Sequence, residues 1–218
     1  MKSFHIFTIS NIPVYFDISV VIMLGLMAFG TPIGLTNSLV IGTVVIASTL
    51  FHELSHAVIA QHFGCNVIKI SMGGMGGKAE IIVSDDYTKY PMREFLISAA
   101  GPLFNLLLIV ISYTLLVILP VNVVPIPLLG VLEMIFNLNL VFFAYNILPI
   151  YPLDGGKMLK SFFTIRHGNG RGLKFTWWVS ASIGISLLVF GLVAQMWGVV
   201  LITIHTIYLA YSHWKDNK

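Results

Sequence analysis

"FHELSHAVIAQHFG", residues 51 to 64, sets two histidines and a glutamate inside one of the most apolar stretches of the chain. Ionisable side chains are costly in hydrocarbon surroundings, and where they occur in such runs they mark function. His52 and His56 are four residues apart, so on a helix they share one face, a turn from each other. That spacing lets both imidazoles bind one zinc ion, with Glu53 beside them as general base toward water. The plainer alternative is a pair of buried histidines bonded to nearby carbonyls. Without an ion, that arrangement leaves buried donors and a charge to be satisfied by other groups.

Around this stretch, the 218 residues are 57% apolar and only 10% charged, against about 25% charged in a soluble domain. The mean hydropathy is +0.91. Such a chain cannot cover itself with polar surface, and it reads as an all-α polytopic membrane protein. Its one cysteine, Cys65, excludes an intrachain disulfide. The start, Met1-Lys2-Ser3, is too weakly basic for a secretory signal, and Asp17 interrupts what would be its apolar region.

Six transmembrane helices are expected, at about 16–30, 37–63, 94–119, 127–148, 173–194 and 196–213, near the length of about 20 residues that a crossing requires. Pro149 and Pro152 end the fourth. Short interfacial β-hairpins are expected near the N-terminus, over 3–15 around Ser10-Asn11, and in the loop after the second span, with strands at 66–71 and 78–83. Residues 155–165 can form a short helix. The whole of 1–218 reads as a single transmembrane domain.

Six spans place both termini on one side, with the loops after the second and fourth spans. All twelve Lys and Arg fall on that side: Lys2; Lys69, Lys78, Lys89 and Arg93; Lys157, Lys160, Arg166, Arg171 and Lys174; Lys215 and Lys218. The positive-inside rule makes that face cytoplasmic. A wrong span count would have scattered these charges. The expected location is the cell (plasma) membrane, multi-pass, with termini and active-site entrance cytoplasmic.

A metal at His52 and His56 needs a further ligand, and the chain has only nine acids. Glu80, Asp85, Asp86, Glu94 and Asp216 lie in loops or at ends, Asp17 opens the first span, and Glu133 falls in the outer half of the fourth. Asp154 stands in "NILPIYPLDGGKML", after two prolines and before Gly155 and Gly156. Alone this is an ordinary surface turn. Beside the histidine motif it becomes the candidate, because broken helices at membrane depth line water-filled cavities. A fourth span ending near 148 would leave Asp154 too shallow, so 146–156 is expected to be extended and to fold back toward the metal.

These residues resemble the site-2 protease family of intramembrane zinc metalloproteases, in its prokaryotic, six-span form. The carriers are His52-Glu53-Leu54-Ser55-His56; Asn146-Ile147-Leu148-Pro149 followed by Pro152-Leu153-Asp154-Gly155; and Ala100-Gly101-Pro102 with Asn105. Together they extend over essentially the whole chain. Neither a PDZ domain nor a CBS-domain pair, present in some members, is expected here. The resemblance implies Asp154 as third zinc ligand, Glu53 as catalytic base, one Zn2+ per chain, and cleavage within a substrate's transmembrane segment. Such substrates include membrane-tethered transcription factors and anti-sigma factors. The partners expected are that substrate and the lipid bilayer, with no nucleic acid.

Asn146 and Asn105 either bond a neighbouring helix's backbone or support the active site and hold substrate. Gly73, Gly74, Gly76 and Gly77, in "MGGMGG", form either a flexible linker or a loop dipping into the membrane. In the second case an exposed strand edge receives unwound substrate by β-addition. Two other classes compete with a protease. A metal-ion transporter would show repeats or polar residues along a pathway through the membrane, and a metal-stabilised membrane scaffold would hold the ion without turnover.

Overall fold

The computed structural model describes residues 3–30, 34–74, 76–82, 90–119 and 125–216. Strand β1 (Ser3–Ile9) and strand β2 (Ile12–Asp17) lead into helix α1 (Ile18–Gly30) and helix α2 (Leu35–His62). Strands β3 (Asn66–Gly73) and β4 (Gly76–Ile82) follow, then helices α3 (Pro91–Ile118), α4 (Ile126–Asn146), α5 (Asp154–His167), α6 (Asn169–Val193) and α7 (Trp197–Asp216). The chain divides into two compact units, Met1–Ser84 with Ala100–Phe143, and Asp85–Ala99 with Ala144–Lys218. Strand position 83, the charges of Lys2, Asp85, Asp86, Lys89 and Lys218, and the outer connections at 31–33 and 120–124 lie outside the described residues.

In the first unit the expected amino-terminal hairpin turns at Ser10 and Asn11, both with positive φ (49° and 65°). Positive φ at both central residues is the geometry that matches the twist of paired strands. The second hairpin also forms, and its strands extend into the glycine-rich run for which the sequence allows a linker or a dipping loop, with Gly73 paired to Gly76. The two hairpins are one four-stranded sheet in the order β1-β2-β3-β4, joined by parallel pairing of Val14, Tyr15 and Phe16 with Ile70, Ser71 and Met72. Parallel neighbours need a long crossover, and α1 and α2 supply it. A bulge between Val67 and Lys69 resets the alternation, so Val67, Ile70 and Met72 all turn inward with Ile12 and Val14.

The sheet packs on α1 and α2. Gly64, with φ of +79°, reverses the chain after α2, and β3 runs back along that helix. At its far end Gly74 N–H donates to Ser19 Oγ at 3.0 Å, at the start of α1, while Gly77 lies against Thr49 and Glu53. The hairpin tip therefore stands beside Glu53, nine residues before the end of α2. Asp17 caps α1 by accepting Ser19 N–H at 2.8 Å, the role its position at the opening of the first span suggests.

In the second unit α5 packs on α6 and α6 on α7. Lys160 of α5 pairs with Glu94, in the first turn of α3, at 2.9 Å. Tyr145 and Thr206 hydroxyls meet at 2.8 Å.

Among the described residues, four helices are long and apolar enough to cross a membrane: α2, α3, α4 and α6 from Gly170. The apolar stretches Ile18–Phe29 and Trp197–Tyr208 are shorter. At 13 residues, α1 rises about 20 Å, against a hydrocarbon core of about 30 Å. The expected first span was longer because it counted residues that belong to β2. Large apolar side chains such as Phe29 and Trp178 stand outward, while Ser38, Ser48, Asn105, Asn139 and Thr176 are buried. This is the reverse of a protein with water as its solvent, and small polar residues between helices are what membrane packing favours.

Ile70 is fully buried where β2 meets β3. Ile70→Ala is expected to cost about 2–4 kcal/mol through the cavity it leaves, read as a lowered unfolding midpoint in detergent. The same substitution at exposed Ile68 should stay within about 0.5 kcal/mol.

Candidate metal centre

His52 and His56 fall on the inward face of α2, both buried, because the four-residue interval brings them round to one side of the helix. Their rings stand nearly perpendicular (84°) with centroids 4.7 Å apart, and the two Nε2 atoms are 3.1 Å from each other. Zinc with ligand bonds of about 2.0–2.1 Å and tetrahedral angles places two nitrogens roughly 3.3 Å apart. The imidazole pair fits that requirement.

Helix α3 closes over the pair at Gly101. A Cβ there would sit 2.6 Å from both Nε2 and Cε1 of His52 and would also strike His56 Nε2. One turn on, Asn105 is fully buried, and its Oδ1 lies 2.5 Å from His52 Nδ1. Asn105 Nδ2 donates to Asn139 Oδ1 of α4 at 2.8 Å. Asn139 Nδ2 donates in turn to Ser48 Oγ at 3.1 Å and to the Ile135 carbonyl at 2.8 Å. Of the two readings offered for Asn105, its bonds are to side chains at the histidine pair rather than to a neighbouring backbone. Asn139 and Ser48 escaped sequence reading. Their one signal is a buried amide or hydroxyl in an apolar run, which says that a partner is needed but not which.

Glu53 turns toward the sheet. Its Oε2 accepts the Ala79 N–H of β4 at 2.9 Å, and a Cβ on Gly77 would lie 2.6 Å from Glu53 Cγ. The carboxylate is thus fixed at the edge strand, one residue along α2 from the first imidazole. Gly77 borders this glutamate, Gly73 and Gly76 pair across the hairpin end, and Gly74 packs on Ser19, where a Cβ would lie 2.5 Å from its carbonyl oxygen.

In the second unit, Asn146 is the last residue of α4. The expected extended segment 146–156 is shorter than sequence suggested. Residues 147–153 alone are non-helical, Tyr151-Pro152 is a cis peptide bond, and Asp154 already opens α5. Pro152 and extended Leu153 (φ −60°, ψ 162°) set the helix start, and the peptide dipoles there favour a carboxylate in the first turn. The two following glycines let this turn lie on the preceding backbone: a Cβ would come within 2.5 Å of Leu148 O at Gly155 and of Ile150 O at Gly156. Asp154 is buried, and Lys157 Nζ stands 3.2 Å from its Oδ1.

His52 and His56 in the first unit and Asp154 in the second are each buried and each of a type that ligates a metal ion. Two imidazole nitrogens and a carboxylate oxygen form the donor set of a catalytic zinc, in which a fourth position stays open.

Gly101→Ala is expected to weaken zinc binding at least about tenfold, the scale on which ligand surroundings act. Alanine is the better helix former by about 1 kcal/mol, so a loss would come from the contact with the rings. Metal analysis after dialysis against a graded chelator reads it.

The model of peptidase family M50 matches residues 40–128 and 122–191. The zinc metalloprotease MJ0392 of Methanocaldococcus jannaschii is 26% identical over 197 residues, covering 88% of this chain and 55% of the relative. The putative zinc metalloprotease sll0528 of Synechocystis is 30% identical, covering 64% of this chain and 35% of its own length. The putative zinc metalloprotease Rip3 of Mycobacterium tuberculosis is 29% identical over 126 residues, covering 58% and 31%. The chain thus spans about half, or less, of the length of these relatives. The solved site-2 protease from Methanocaldococcus jannaschii shares the fold, with a TM-score of 0.64 at 21% identity, over 97% of this chain and 94% of that one. With its family model matched over well more than half its length and the histidine motif inside the matched region, the chain belongs to peptidase family M50.

Proposed function

We propose that this chain is an intramembrane zinc metalloprotease that hydrolyses a peptide bond within or near the transmembrane segment of a membrane-anchored substrate. His52, His56 and Asp154 hold one Zn2+, and Glu53 is the base. The observation that carries this reading is the buried imidazole pair, its Nε2 atoms 3.1 Å apart, beside a glutamate whose carboxylate is anchored on a strand. The names of the relatives point the same way.

An ion held by His52, His56 and Asp154 would supply Lewis acidity toward a carbonyl oxygen and lower the pKa of a water there to about 7. The chain's own residues do the rest. Glu53 takes a proton from the attacking water and later returns one to the leaving amine. Ala79 N–H holds Glu53 Oε2, so the carboxylate enters the reaction already oriented. Gly77 leaves the room that the close approach of strand and glutamate requires. Strand β4 ends the sheet, and an extended substrate adds to that edge next to the base. A helical substrate must unwind first, so helix-weakening residues are expected near its cut. Asn146 lines the substrate path.

Six crossings, with α1 and α7 counted, put both termini and the water entrance on the cytoplasmic side of the cell membrane. The support is the segregation of all twelve Lys and Arg; a helix as short as α1 crosses where the bilayer thins around it. Substrates are single-span proteins such as membrane-tethered transcription factors or anti-sigma factors.

Glu53→Gln is expected to keep zinc near one per chain while cleavage of a single-span peptide in detergent falls at least about 10²-fold. Undiminished cleavage would remove Glu53 as the base. Asp154→Ala is expected to lose metal and activity together, and normal zinc content in that variant would remove it as a ligand.

A further inference from the structure

The hydrogen bonds that run away from His52 have only one consistent polarity, and it is set at their far end. The Ile135 carbonyl, 2.8 Å from Asn139 Nδ2, can only accept. An amide turned the other way would point oxygen at oxygen there, so Asn139 must present its NH2 to Ile135 and to Ser48 Oγ. Its Oδ1 is then committed to Asn105, which must answer with Nδ2. That in turn commits Asn105 Oδ1 to His52 Nδ1. An oxygen can be satisfied by that nitrogen only if the nitrogen carries a hydrogen, and a neutral imidazole protonated at Nδ1 has its lone pair at Nε2.

We propose that Asn139, acting through Asn105, is a positioning residue that holds His52 in the Nδ1–H tautomer and so keeps its Nε2 lone pair available to the metal. The inference rests on the zinc reading above for its purpose, but the tautomer follows from the amide chain alone. Both amides are fully buried, so water does not compete for them. Reversing the ring would require both amides to turn together, leaving Asn139 Oδ1 against a carbonyl oxygen. A metal-ligating histidine ordinarily bonds one carboxylate, carbonyl or water. Here the same task passes through two side chains and ends on the backbone of a third helix, so a residue remote from the metal sets the state of a ligand. No single amide in this series could do so, because an isolated Asn offers either end to an imidazole.

Nitrogen-15 NMR of histidine-labelled full-length protein in detergent, metal-free at neutral pH, tests it directly, with His52 assigned by the signals lost in His52→Gln. Zinc affinity is measured beside it by chelator competition. The wild type should show His52 protonated at Nδ1. Asn139→Leu, close in volume but unable to donate or accept, should give a mixture of tautomers and weaken zinc binding about 10–100-fold. Ser48→Ala removes one acceptor and leaves the Ile135 carbonyl in place, so its affinity should stay within about threefold of wild type. A wild-type His52 protonated at Nε2 overturns the proposal, as does an Asn139→Leu protein that loses zinc affinity with the tautomer unmoved, since packing alone would then be its role. Should Asn139→Leu not fold, the wild-type tautomer still decides. A wild type that binds no zinc sinks the metalloprotease reading, while the tautomer comparison stands on its own.

Discussion

An imidazole enclosed by apolar helices has two nitrogens to satisfy among few polar neighbours, and two such rings on one helix double the demand. In α2 the solution is directional. Each ring turns Nε2 toward the other, and the far side of His52 is taken by Asn105. Much of the first unit's packing follows from this. Helix α3 approaches α2 closely enough for Asn105 to reach only because position 101 has no side chain. Helix α4 must present Asn139 at the height of Ser48. An unpaired buried polar group costs about 1–3 kcal/mol, so three helices are tied in register by a few side chains within a surface that is otherwise greasy.

The same logic explains why a small sheet accompanies the helices. The glutamate proposed as base needs its carboxylate aimed, and a helix can aim it only along its own face. Strand β4 offers a row of backbone N–H groups at the sheet edge, and Ala79 gives one to Glu53. To bring that strand so far along α2, the chain reverses at Gly64 and runs β3 back toward the start of α1, where Gly74 meets Ser19. Parallel pairing with β2 then secures β3 on its other side. The sheet is therefore a lever that carries one donor to one carboxylate.

Local patterns were readable in the residues and non-local ones were not. The histidine interval, the Ser10-Asn11 turn and both hairpins depend on neighbours within a few positions, and the structure has them. The parallel join of β2 to β3 depends on where two helices return the chain, which no short window contains. Asn139 was invisible as a partner of Asn105 because an amide in an apolar helix advertises need without direction, and the rotation of α4 decides what it meets. The depth of a fourth span ending near 148 argues for an extended 146–156, and the short helix expected from 155 begins one residue earlier. A proline shortly before an acid is also a helix start, and that signal won at Asp154. Among the described residues helix length supports four crossings, while charge segregation argues for six; the first apolar run gives up only Phe16 and Asp17 to the strand that the sequence ended at 15.

The central claim is a zinc ion held by His52 and His56 with a carboxylate, and X-ray absorption at the zinc edge of the purified full-length protein tests it most directly. The account predicts only nitrogen and oxygen neighbours at about 2.0–2.1 Å, with the outer-shell scattering of two imidazoles. A sulfur neighbour near about 2.3 Å, which only Cys65 or a methionine could supply, or scattering from fewer than two imidazoles, would contradict it.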